Sequence, residues 1–214
     1  MALRRKQKRT ERSKLDATPP WEVRHREEPE VTDGPFDVRD EPADTLTRID
    51  LGALRVPVMS DVDVRLDLNE AQQIVSVTLA NPNGQMQLGV FAAPRSDGIW
   101  DEVRAEIAES LAAQRGSGKD REGGPFGTEL VGRLPGEGGE VPVRFVGVDG
   151  PRWFLRAMFL GPVALDEQTA APFEAALRNV VVVRGSDPLP VREPVPLTMP
   201  TELQPGAGDG AGQV

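Results

Sequence analysis

A chain of 214 residues with a net charge of −9 and no cysteine fits one domain with tails, and it excludes disulfides, thiolate metal sites and cysteine nucleophiles. The hydrophobic share of 38% is low for a chain folded from end to end, and 22 glycines with 20 prolines suggest that part of it builds no core. No run of about 18 apolar residues is present to span a membrane, and the basic start lacks the apolar stretch of a signal peptide, so the expected compartment is the cytoplasm.

In chain order, the opening MALRRKQKRTERSKL holds seven Lys or Arg against Glu11 alone, and residues 16–45 reverse the sign with ten acidic residues against three Arg. With five prolines and few aliphatic residues, 1–45 is expected to be a disordered arm, because it cannot bury enough apolar area to offset the entropy of ordering. Residues 1–15 carry the charge for weak, salt-sensitive contact with nucleic acid, attenuated by their acidic neighbours.

A folded domain is expected over 46–185. RIDLGALRVPV opens it, with Pro57 favouring an edge strand. In DVRLDLN, Val64, Leu66 and Leu68 face one side; in IVSVTLA, Val75, Val77 and Leu79 do the same. Asn83-Gly84 signals a hairpin turn, since both residues tolerate positive φ, and QMQLGVFAA is the return strand. In GIWDEVRAEI, Ile99, Val103, Ile107 and Leu111 recur every four residues, with Trp100 on the same stripe, which predicts an amphipathic helix with Trp100 as a core anchor. Asp97 or Ser96 caps it, Asp101 and Glu102 complement its dipole, and Gly116 ends it.

VPVRFVGV then turns at Asp149-Gly150 into RWFLRAMFLG. Trp153, Leu155 and Phe159 share one face of that strand, and Phe154, Met158 and Leu160 the other, as in a central strand covered on both sides. GEGG at 136–139 reads as a hairpin loop. In TAAPFEAALRN, Thr169 caps a second helix, Pro172 is tolerable in its first turn, and Phe173, Ala176, Leu177 and Val180 form its stripe. VVVVRG reads as a buried strand. Residues 186–214, Pro-rich and then Gly-rich, are expected to form an extended tail. The class is α+β: a mainly antiparallel sheet with two helices packed on it, built from two hairpin-then-helix units at 74–115 and 141–179.

Several phrases, among them APRSDGIWDEVR and VDGPRWFLRA with GPFGTELVGRLP and NVVVVRGSDPLPVREPVPLTMP, resemble an actinobacterial family, domain-of-unknown-function family 3710, over roughly residues 34–200. The resemblance implies no established activity, so it assigns no catalytic residues.

The chemistry is narrow. RGSGKD at 115–120 imitates a phosphate loop, but Asp120 stands where Ser or Thr would hold magnesium, and the helix precedes it. No G-x-G-x-x-G joins a strand to a helix. His25, the one histidine, lies in the arm, so no histidine base or ligand falls in the domain. No catalytic set, cofactor or metal site emerges. The candidate binding residues are Arg95 before the first helix, Arg152 and Trp153 after the Asp149-Gly150 turn, and Arg156 along that strand, because Arg beside aromatics suits phosphates and bases. Two function classes follow: a non-catalytic binding or adaptor protein with a protein partner, or an enzyme or sensor taking a phosphorylated small molecule or nucleotide through these arginines.

Overall fold

The computed structural model describes residues 33–200 except Ser96 and Glu137. The basic stretch 1–15, its expected nucleic-acid contact, His25 and the tail beyond residue 200 lie outside the described residues.

In chain order the elements are β1 (Phe36–Asp37), β2 (Arg48–Asp50), β3 (Leu54–Pro57), β4 (Asp63–Leu68), β5 (Ile74–Asn81), β6 (Gly84–Ala92), α1 (Trp100–Ala113), β7 (Ser117–Gly124), β8 (Gly127–Gly136), β9 (Gly139–Gly150), β10 (Trp153–Leu160), α2 (Glu167–Arg178) and β11 (Val181–Val182). Seven strands form one antiparallel sheet in the order β4-β5-β6-β10-β9-β8-β7. A smaller sheet has the order β1-β11-β3-β2, with β1 and β11 parallel. The class is α+β, mainly antiparallel, with two helices packed on the sheet.

The alternation of β10 sets the layers. Trp153, Leu155, Ala157 and Phe159 point into the main core, which also takes in Leu54 and Val56 of β3 and Phe173, Ala176 and Leu177 of α2. Phe154, with Met158 and Leu160 against it, points the other way, into a second core with Ile99, Trp100 and Leu111. A strand covered on both sides needs apolar residues at every position, which is why RWFLRAMFL reads as nearly continuous hydrophobicity. Helix α1 lies over β7, β8 and β9.

Several local expectations are corrected. Val75 is 54% exposed, because β4 and β5 slip register between Asp67 and Leu68, and Ile74 enters the core in its place. The β5–β6 turn is made by Pro82 and Asn83; Gly84 already pairs with Asn81, at φ 148°. The β9–β10 turn is made by Pro151 and Arg152, with Gly150 paired to Trp153 and Arg152 at φ 65°. Pro57 ends an interior strand, where it faces Arg48; β11 pairs only with Leu54 and Arg55, so the missing N–H breaks no ladder there.

Helix ends differ too. The residue at the N-terminus of helix α1, Ile99, makes no side-chain cap. Asp149, on β9, accepts from the Ile99 and Trp100 amides at 2.8 and 3.2 Å. At its other end Arg115, not a glycine, takes the positive φ, and the Gly116 amide donates to the Leu111 carbonyl. Asp166 caps α2 by accepting from the Gln168 amide, so the helix begins before Thr169 and Pro172 falls in its second turn.

The fold also runs past both expected boundaries. Residues Phe36 and Asp37 form a strand inside the presumed arm, where Asp37 accepts from the Trp153 indole N–H at 2.8 Å. Residues 186–200 form a strap rather than an extended tail. The Ala92 amide donates to Glu193, the Arg192 amide to Ala92, the Val195 amide to Val90 and the Thr198 amide to Leu51. Val195 is buried, and the Arg192 guanidinium pairs with Glu102 and Glu106 of α1 at 2.7 Å each. Pro-rich segments have few donors of their own, so this one uses its few non-proline amides and carbonyls at the end of β6.

Candidate functional site

Because α1 lies over β7–β9, the β4–β5–β6 half of the same sheet face has no described helix packed on it. Cross-strand partners share a face, so the register says what this half displays. One row runs Arg65, Thr78, Gln87, Met158 across β4, β5, β6 and β10. Asp67 faces Ser76 in the neighbouring row.

These polar groups are bonded to one another. The Asp67 carboxylate accepts from the Ser76 hydroxyl at 2.5 Å, the Thr78 hydroxyl at 2.7 Å and the Gln87 amide at 3.4 Å, and Gln87 also donates to Ser76 at 3.0 Å. Partial burial raises the Asp67 pKa, but these donors outweigh it, and the carboxyl sits below its ordinary value.

Next to this cluster stands Arg156. Its cross-strand neighbours are Gly89 and Gly147. The space above Gly147 is filled by the Trp100 ring, and the Phe91 ring leans over Gly89. Trp100 stacks on Phe154 with centroids 5.9 Å apart, Phe154 meets Phe91 at 6.2 Å, and the Arg156 guanidinium lies 5.1 Å from the Phe91 centroid. A half-buried cation thus ends a ladder of three rings. Among the described residues Arg156 makes no hydrogen bond or ion pair, and burial, unopposed by any acid, lowers its pKa.

The other sequence candidates fall apart from it. Arg95 is exposed on the loop after β6, and that loop meets the β9–β10 turn where the Ala93 amide donates to the Arg152 carbonyl at 3.0 Å. Arg95 and Arg152 therefore share one end of the sheet. Trp153 is 2% exposed and faces the main core, so its ring is closed to a ligand. Trp100 is a core anchor, 7% exposed, with its indole N–H donating to the Thr128 carbonyl at 2.7 Å. Among the described residues no three His, Asp or Glu side chains are grouped to hold a metal ion.

Sequence reading missed the Asp67 cluster, because Asp67, Ser76, Thr78 and Gln87 look like the solvated face of an alternating pattern. The one signal was that three neighbouring strands each place a hydrogen-bonding side chain on that face. It missed a second polar cluster on the opposite face. There Glu129, 0% exposed, pairs with Arg121, while Glu129 Oε1 and Arg121 Nε have no hydrogen-bond partner. Also on that side Arg144, buried under α2, pairs with Glu174 at 2.7 Å and lies over the Phe159 ring at 4.0 Å.

An α+β protein whose large sheet is covered on both faces and carries a half-buried polar cluster on one of them is the class these features define. The chain belongs to the family described as Protein of unknown function (DUF3710), whose model matches residues 34–206 and so takes in both β1 and the strap. No curated protein matches the chain. Among solved structures, it is similar to a protein from Bacteroides thetaiotaomicron VPI-5482, at 15% identity and a TM-score of 0.41, over 64% of this chain and 48% of that one. It is similar also to LpqN, involved in cell envelope biogenesis of Mycobacterium tuberculosis, at 16% identity and a TM-score of 0.30, over 70% of this chain and 99% of that one. The chain spans about half the length of the first of these.

Proposed function

We propose that this is a non-catalytic binding protein that recruits a protein partner through the β4–β5–β6 half of its sheet. The observation that carries the reading is the Asp67 cluster: half-buried Asp67 and Gln87 are held in a fixed arrangement by hydrogen bonds to each other and to Ser76 and Thr78, which are themselves buried. Solubility alone needs only independent, solvated charges, whereas a bonded network presents one geometry to a partner. The domain also offers no histidine or cysteine to serve as base or nucleophile. The reading places the protein in the cytoplasm, in keeping with a cysteine-free chain. It gives residues 1–15 an accessory, salt-sensitive contact with nucleic acid.

Affinity capture from the native cell tests it, comparing the full chain with Gln87→Arg, which adds a charge to the surface without entering either core. Wild type is expected to capture a partner that the variant loses; identical captures would sink the reading. The rival, an enzyme or sensor of phosphorylated ligands, draws on the unpaired Arg156. A thermal-shift panel of nucleotides and metal ions separates the two, since a ligand-specific rise in Tm favours the rival.

A further inference from the structure

We infer that Arg156 and Phe91 form a binding site for a single carboxylate carried on an apolar or aromatic body. The inference rests on the binding-surface reading and deepens it. A guanidinium has five N–H donors in a planar fork that matches a carboxylate edge to edge. Lying over the Phe91 ring, Arg156 satisfies one face by cation–π attraction and spends no N–H on the described residues. Its desolvation is uncompensated by any acid. A cation held this way gains most from an incoming anion, because the cost of removing it from water has already been met by the fold.

The surroundings choose the anion. In the register Arg156 is flanked by Gly89 and Gly147 across the sheet, and by Phe154 and Met158 on its own strand face. No second cation stands in those positions. One positive charge balances one carboxylate, whereas a phosphate dianion would leave a net negative charge beside Phe91, Phe154 and Met158. The Phe91 ring fills the space over Gly89 and forms an apolar wall beside the guanidinium, against which a flat apolar group can pack. The carboxylate has two sources, a free aromatic acid or the C-terminus of a polypeptide, with the same chemistry at the fork.

The test is an NMR titration of the full chain, following the Arg156 Nε–H resonance, assigned through Arg156→Lys, and the Phe91 ring protons. The probes are benzoate for the free acid, N-acetylphenylalanine for the chain end, benzamide as the uncharged control, and inorganic phosphate. Saturable shifts at both positions are expected with one or both carboxylates and none with benzamide. Phosphate should bind at least tenfold more weakly, and Arg156→Gln should lose at least tenfold in carboxylate affinity. Binding of only one carboxylate identifies the source and supports the site. Failure of both, phosphate as strong as either, or unchanged affinity in Arg156→Gln overturns it. Because the titration reads wild type directly, a variant that fails to fold does not block the result. If both carboxylates fail while partner capture still depends on Gln87, the surface reading stands and the carboxylate site falls.

Discussion

Asp149 lies in a strand and spends both carboxylate oxygens on the first amides of a helix fifty residues away. Local reading assigns that work to Asp97 or Ser96, since caps are usually sought in the residue just before a helix; a cap supplied by tertiary structure leaves no local signal. Asp149→Ala should therefore cost about 1–2 kcal/mol in chemical denaturation, and Asp101→Ala, which touches only the dipole and Arg104, no more than about 1 kcal/mol. Trp100→Ala should exceed both, at about 3–5 kcal/mol. Gly147→Ala should cost about 1–3 kcal/mol, since its methyl would stand 2.3 Å from the Trp100 ring. A reverse ranking of Trp100 and Asp101 would mean that the helix does not anchor through its ring. Asp67 adds a pH signature. Its folded pKa is depressed, so its contribution is present above the unfolded carboxylate value and is lost as pH falls through the folded one. Asp67→Asn should flatten the acid side of a stability-against-pH curve, and an unchanged acid limb would show that the network does not hold the carboxylate.

Elements whose chemistry repeats were legible: α1, α2 and β10 announce themselves by apolar residues at periods of four and two. Strand β7, SGKDREGG, carries no such residue, because its fold is set by pairing with β8 and by α1 above it. It was therefore invisible to a hydrophobic pattern. The bulge in β5 hides likewise, since one inserted residue moves Val75 out of the core without altering the composition. The β7–β8 hairpin holds Glu129 wholly buried beside Arg121. Arg121→Met alone should destabilise by about 3–5 kcal/mol, because it strands a carboxylate, whereas Arg121→Met with Glu129→Leu should recover most of that loss. Equal losses in the single and double variants would mean that packing, not charge, dominates there.

For the whole molecule, the α+β class, the two covered faces of β10 and the two hairpin-then-helix units could be read in advance, whereas the β7–β8 hairpin and the ends of the folded region could not. Apolar density falls at residues 46 and 185, yet Asp37 and the strap are held by hydrogen bonds to Trp153, Val90, Ala92 and Leu51, which density does not report. A fragment of residues 33–200 should unfold in one cooperative transition, and a fragment of 46–185 should melt lower and less cooperatively. Matching thermal transitions in the two would show that β1 and the strap add nothing to stability.

The pairing of β1 with β11 has a consequence for synthesis. The seventh strand of the large sheet in chain order, β10, is complete at Leu160, but the layer over its main-core face, begun by β3, is finished only by α2 and β11, with β1 waiting unpaired since the start of the domain. At about 5–20 residues per second, the nascent chain carries an incompletely covered apolar sheet face for some seconds before Val182 emerges. A ribosome stalled in that interval would display the protein at its most adhesive, and chaperone engagement should peak there and fall once β11 has zipped between β1 and β3.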